Sequence, residues 1–414
     1  MKVIFFYLRF ICLVLLLVPC GQHLSAQLSE VLYTTDNKID TLNKGRLSLE
    51  IDNLSFYDNN EFGTTVQKGY TLPGFWFQPK LVYYPLSSLK IEAGVHSVWF
   101  WGTMRYPAYA YKNIPRGGGR DSSNIVHVLP YLRAHLALSD NVSIVLGSIY
   151  GGSNHRLIEP LYNPELNLTS DPEAGLQLLY RTKWLDLDLW IDWMTFIFEQ
   201  DTHQEAFASG MSARFNANSP ESRFHVYFPL QTLTQHNGGE INMIKDKPVQ
   251  TVMNMAAGVG LKWNMNRRVL KYINAELDVA GYKRPKGEDF HLKEGRGYYA
   301  KLATQLKNFN IRASYWYCKD FVSMFGNPFY GAVSTKINNM YYDRPQMLYF
   351  GADYVRDLGK GFSFGINAEA YYYISGKMYS LETGLNQPSA FGNNTNYSMG
   401  VYMRINPSFL IKQY

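Results

Sequence analysis

Sixteen strand-like segments, joined by connections that are short and long in turn, constrain this chain more than any other feature. The segments read from alternation of apolar and polar residues are 46–57, 70–84, 89–102, 124–138, 142–151, 173–182, 185–198 and 206–216. They continue at 223–236, 249–265, 272–282, 295–306, 309–322, 345–355, 362–373 and 396–406. Short connections fall at 85–88, 139–141, 183–184, 220–222, 266–271, 307–308 and 356–361. Long ones fall between them at 58–69, 103–123, 152–172, 237–248, 283–294, 323–344 and 374–395, with 199–205 as a brief exception. A soluble sandwich has no reason to keep the two lengths out of phase. A membrane barrel does, because it has short turns on one side and long loops on the other. Most segments have the roughly 9–11 residues that a tilted strand needs to cross a bilayer.

The segments are also two-faced. In 185–197 one face carries Leu185, Leu187, Leu189, Ile191, Trp193 and Ile197, and the other carries Asp186, Asp188, Trp190 and Asp192. Three carboxylates cannot face lipid, so this strand has a lipid side and a lumen side. The segment 362–372 repeats the pattern with Ser363, Asn367 and Glu369 inward, and the fourth segment does so with His127, Arg133 and His135. The expected fold is an all-β, transmembrane, antiparallel up-and-down barrel of about sixteen strands. An even count returns both termini to the same side.

The ends suit that fold. Lys2 and Arg9 precede an apolar run from Ile11 to Val18, then Leu24-Ser25-Ala26, the order of a secretory signal cleaved after Ala26. Leu24 is larger than the ideal residue there. Lipidation at Cys20 is the competing outcome, and Pro19 argues against it. Residues 1–26 are read as signal peptide, 27–45 as a short N-terminal periplasmic segment and 46–414 as the barrel. Losing Lys2 and Arg9 and no acid lowers the formal charge from +6 to +4. Cys318 is then the remaining cysteine, which excludes an internal disulfide framework and any multi-cysteine metal site. No run of like charge suggests nucleic acid, and no cofactor is implied. Aromatics make up 15% of the chain with 32 Tyr, and they gather at segment ends in Trp99-Phe100-Trp101, Tyr83-Tyr84, Tyr341-Tyr342 and Tyr371-Tyr372-Tyr373. Interfacial aromatic belts put them there.

With its signal sequence, its strand-and-loop rhythm over 46–414 and its terminal Tyr414, the chain resembles the porin-like outer-membrane barrels of Gram-negative bacteria. The resemblance is to a class, without a family motif. It implies residence in the outer membrane among lipid and lipopolysaccharide, insertion by barrel-assembly machinery, and passive passage of small hydrophilic solutes. It also implies the trimeric state common among porins, although no residue identifies a subunit interface. Residues 27–45 are too few for the plug domain of an energised receptor.

Tight turns fix some pairings of the lumen-facing charges. A two-residue turn at Lys183-Trp184 sets Arg181 opposite Asp186, Leu179 opposite Asp188 and Gly175 opposite Asp192. A turn at Lys307-Asn308 sets Ala303 opposite Arg312 and Lys301 opposite Ser314. The expected pore lining is Asp186, Asp188, Asp192, Arg133, Arg181, Arg214, Arg312, Lys301 and Glu369. Opposed acidic and basic walls would place a transverse field across the water. The same residues would equally serve as ion pairs that close the interior, since sixteen strands enclose more space than side chains fill unless loops fold inward. The loops 103–123, 323–344 and 374–395 are long enough to do so, and Arg116-Gly117-Gly118-Gly119-Arg120 offers an anion grip or a plain surface loop.

Two other function classes compete with the channel. One is a partner for a secretion, assembly or surface-lipoprotein complex, contacted through 27–45. The other is an outer-membrane hydrolase built around Glu199, Asp201, His203 and Glu205 at the rim. No nucleophile accompanies that histidine, and His127 and His135 lie about 27 Å apart at strand rise. The sequence reading therefore expects no enzyme.

Overall fold

Backbone polar groups in lipid must be satisfied within the protein, and a strand can meet that demand only if its sheet closes. This chain closes one. The structure is a computed structural model that describes residues 32–101, 127–198, 201, 203–239, 248–288, 292–380, 386–387 and 392–414. The signal sequence, Arg116–Arg120, Glu199 and Gln200 lie outside them.

The strands are β1 Arg46–Thr64, β2 Tyr70–Leu86, β3 Leu89–Phe100, β4 His127–Ala137, β5 Val142–Ser148, β6 Ala174–Arg181, β7 Leu185–Thr195 and β8 Ala206–Asn216. They continue as β9 Phe224–Asn237, β10 Gln250–Asn264, β11 Leu270–Lys286, β12 Glu294–Leu306, β13 Phe309–Lys319, β14 Met340–Gly359 and β15 Phe362–Ser380. Last come the two-residue β16 Asn386–Gln387, then β17 Gly392–Ile405 and β18 Ser408–Gln413. Each of β1 to β15 pairs antiparallel with its sequence neighbour, β15 pairs with β17, and β17 returns to β1 from Asn53↔Ile405 to Thr64↔Gly392. Sixteen strands thus make the wall among the described residues, while β18 extends the seam by pairing Arg46 with Gln413.

The turn-based register holds: Arg181 faces Asp186, Leu179 faces Asp188 and Gly175 faces Asp192, while Ala303 faces Arg312 and Lys301 faces Ser314. The polar outer ends of several strands depart from expectation. β1 runs on through Asp58, Asn59, Asn60 and Glu61 to Thr64, and β14 and β15 likewise reach beyond their apolar stretches. Polar composition there does not end the strand, because the hydrogen-bond ladder continues past the point where the apolar pattern stops.

The faces are inside-out relative to a soluble protein. Leu132, Leu146, Leu277, Val279 and Phe350 are 55–60% exposed, whereas Lys80, Glu92, Arg133, His135, Gln177 and Asp353 are buried. Among the described residues, two long connections fold into the lumen. From 149–173, Ile149, Tyr150, Ile158, Leu161 and Leu166 are buried, and from 320–339, Phe321, Phe325, Phe329 and Tyr330 are buried against them in one cluster. The second of these was expected to constrict the barrel; the first was not. The N-terminal residues join the filling, because Arg404 holds the carbonyls of Leu32 and Thr34 at 3.0 Å each while pairing bidentately with Asp52.

Candidate functional site

The acid row of β7 points into the barrel, where it anchors the inward loop. Asp186 accepts from Arg156 of that loop at 2.7 Å and from Arg181 at 3.4 Å. Asp188 contacts His155 Nδ1 at 2.8 Å and accepts from Gln177 at 2.9 Å, and Asp192 accepts from the Ala174 N–H at 2.8 Å. The other nitrogen of His155 contacts Glu173 at 3.0 Å, and its ring stacks on Trp190 at 3.6 Å. Trp190 can lie flat because Gly210 stands opposite it; a Cβ there would sit 2.1 Å from the indole. Burial opposes a charge on His155, but the Glu173 and Asp188 carboxylates outweigh it and raise the imidazole to about 10.

The basic residues are equally engaged. Arg133 donates to Glu92 at 2.9 Å and to the carbonyls of Ser148 and Ile149, with its guanidinium 3.8 Å from the Tyr150 ring centroid. Glu92 also takes Lys80 at 2.6 Å and Lys90 at 3.3 Å, so three cations surround one fully buried carboxylate. Lys301 donates to Glu159 of the inward loop at 2.8 Å, and Arg312 bridges Asp353 at 2.8 Å and Glu369 at 3.3 Å. Glu369 also accepts from Tyr349 and Tyr371, and Arg214 lies over the Tyr227 ring. Burial would raise the Glu159 carboxyl, yet Lys301 and Arg312 bring it down to about 2. Among the described residues, one lumen cavity is lined by Asp58, Glu159, Arg312, Asp353 and Glu369, and another by His155, Arg156, Asp186 and Arg214.

At the rim, His203 Nε2 is bonded to the Phe196 carbonyl at 2.9 Å and lies 3.8 Å from Asp201, which caps the Phe198 N–H. These contacts hold the loop together. Among the described residues no group of three or more His, Cys, Asp or Glu side chains is placed to hold a metal ion. Cys318 is buried.

The outer wall carries a set of polar side chains that was not among the expected site residues. Along β1, Asp52, Leu54, Phe56, Asp58 and Asn60 are buried inward, so Asn53, Ser55, Tyr57, Asn59 and Glu61 face outward by alternation. Their outward neighbours on β17 are Met403, Val401, Met399 and Tyr397, each 45–49% exposed. Polar side chains on such a wall cost several kcal/mol each if left unpaired. Here they pair. Ser55 donates to Asn53 at 3.1 Å and Asn53 to the Trp76 carbonyl at 2.9 Å. Nearer the outer end, Thr71 of β2 donates to Asn59 Oδ1 at 2.8 Å, and Asn59 Nδ2 donates to Glu61 at 3.3 Å. A carboxylate, an amide and a hydroxyl therefore stand in one hydrogen-bonded chain at the lipid boundary. Such a set can orient a polar headgroup, accept a proton from water and donate to a carbonyl oxygen. The signal in the sequence was the run of polar residues at alternate positions 53, 55, 59 and 61, interrupted by Tyr57.

A closed antiparallel barrel with an apolar outer wall and a polar interior is an outer-membrane β-barrel, and the outer membrane is its location. The chain belongs to the lipid A 3'-O-deacylase-type family, whose model matches residues 39–414. No curated relative matches the chain. Among solved structures it is similar to the in-vitro folded, trimeric form of OmpT, an outer membrane protein of Vibrio cholerae, with 10% identity, 87% of this chain and 99% of that chain covered, and a TM-score of 0.46. It is similar to the outer membrane protein OpdK of Pseudomonas aeruginosa, with 12% identity, coverage of 88% and 100%, and a TM-score of 0.46. OccAB3 of Acinetobacter baumannii matches at 9% identity, with coverage of 88% and 99% and a TM-score of 0.46.

Family membership corrects the expectation of a barrel without catalysis, because the family is named for an enzyme. The expectation rested on finding no nucleophile and no second histidine near His203 in the sequence. On a strand, side chains that share a face are spaced by two, and partners come from the neighbouring strand.

Proposed function

We propose that this barrel is an acyl-ester hydrolase of the outer leaflet, working on its outer wall at Asn59, Glu61 and Thr71. The observation that supports it is the hydrogen-bonded polar chain of these residues on a wall otherwise built for lipid. An acylated lipid beside the barrel would bring its ester to this level without leaving the membrane. Glu61 takes a proton from a water molecule, the resulting hydroxide attacks the acyl carbonyl, and Asn59 Nδ2 donates to the oxygen that gains charge. The C–O bond breaks, Glu61 returns its proton to the departing alkoxide, and the products are the alcohol and a free fatty acid. Thr71 holds the amide of Asn59 in the required orientation. The family name points to the 3'-O-acyl ester of lipid A as the bond.

A second seat for the same chemistry is favoured by a direct imidazole–hydroxyl contact. His236 Nδ1 lies 2.9 Å from Thr251 Oγ1 near the outer end of β9 and β10, on the face shared with Phe207. Fatty-acid release from detergent-dispersed lipid A by the purified chain separates the two. Glu61→Gln should reduce the rate by about 10²-fold or more, the usual contribution of a general base, while His236→Gln stays within about twofold. The reverse pattern moves the site to His236. Passive diffusion of small solutes is the alternative function. It draws support from the two lumen cavities, against which stand the inward loops that share the same space.

A further inference from the structure

We infer that the outer rim of β11–β13 is a docking site for a phosphate group of an outer-leaflet lipid, held by Lys283, Arg296 and Lys319. The three share the outward face. Lys283 alternates with buried Tyr282 and follows lipid-exposed Leu277 and Val279, Arg296 precedes buried Gly297 and exposed Tyr298, and Lys319 follows fully buried Cys318. The register places them side by side: Gly281 opposite Arg296, and Arg296 opposite Lys319, with Lys283 two residues along from Gly281. Like charges directly opposite each other across a ladder are destabilising unless something anionic lies between them.

The protein supplies little of that anion. Glu294 faces Lys283 across the ladder, the Asp320 carboxylate takes the Tyr341 hydroxyl, and Asp343 pairs with Arg344 at 3.6 Å. Arg296 and Lys319 make no ion pair among the described residues. Their depth points to the partner. Tyr298 and Tyr317, two residues toward the membrane from Arg296 and Lys319, lie ring to ring with centroids 6.0 Å apart. Tyrosines of this kind mark the headgroup boundary, and two residues further out is about 7 Å at strand rise. The cations therefore stand at the level of lipid phosphates. A guanidinium flanked by two ammonium groups suits a phosphate, with the arginine binding two of its oxygens. The site lies on other strands than Asn59 and Glu61, so it stands or falls independently of the hydrolase reading.

Native mass spectrometry of the detergent-solubilised full chain tests it. The probes are a bis-phosphorylated glucosamine disaccharide with ether-linked chains, which no esterase cleaves, its dephosphorylated form, and inorganic phosphate. The wild type should retain the phosphorylated lipid at least tenfold more strongly than the dephosphorylated one, and raised salt should erase the difference. Arg296→Gln with Lys319→Gln should lose the preference, and Arg296→Lys should keep most of it. Equal retention of the two lipids, an unchanged preference in the double variant, or inorganic phosphate competing as well as the lipid would each overturn the assignment.

Discussion

His155 and Trp190 lie face to face at 3.6 Å with their planes 9° apart, which fixes a loop residue against the inner face of the seventh strand. Both imidazole nitrogens meet carboxylates, Asp188 on the wall and Glu173 at the loop's end. The contact ties the filling to the wall and makes it sensitive to pH.

Because the His155 imidazole is raised to about 10, its charged form is favoured in the folded state. The stabilisation is complete below the unfolded value of about 6.5 and is lost as pH rises through about 10. Protease sensitivity of the 149–173 loop should therefore increase between about pH 9 and 11 in the wild type. In His155→Gln the loop should be sensitive at neutral pH as well. A loop equally resistant at pH 8 and 11 would remove His155 as its anchor.

Glu92 is the carboxylate that Lys80, Lys90 and Arg133 share. Glu92→Gln leaves buried cations without their counter-charge and should destabilise the barrel by about 3–5 kcal/mol, measured by urea unfolding in detergent. Glu50→Gln, which touches the same Lys80 at 3.6 Å from a more exposed position, should cost no more than about 1 kcal/mol.

The inward loops predict electrical silence. Wild-type protein in planar bilayers should show no steady single-channel conductance, whereas replacing residues 153–170 with two glycines should open a conducting path past Asp186 and Asp188. Stable steps from the wild type would restore the diffusion reading, and the expected pore residues would then be tested by reversal potential.

The wall of the barrel was legible because side-chain alternation and tight turns act locally. A two-residue connection at Lys183-Trp184 leaves one register, and it placed Arg181 opposite Asp186. The filling was harder to read. Ile158, Leu161, Phe325 and Phe329 are apolar residues in segments without periodicity, and their burial depends on contacts between two loops about 160 residues apart, as in the Asn163 N–H to Phe325 carbonyl bond. Asn59 and Glu61 were taken for a loop because their polarity matched one, although the ladder with Thr71 and Met399 keeps them in the strand. The proposed site was hidden for the same reason, since Asn59 and Thr71 meet across strands.

Asn59 and Glu61 on the outer wall are proposed to remove an acyl chain from an outer-leaflet lipid. The direct measurement is the mass spectrum of lipid A from the outer membranes of cells producing the wild type, Glu61→Gln or Asn59→Ala at equal barrel levels. Lipid A should be lighter by one ester-linked acyl chain with the wild type and unmodified with either variant. Lipid A of identical mass in all three, or shortened equally by all three, would contradict it.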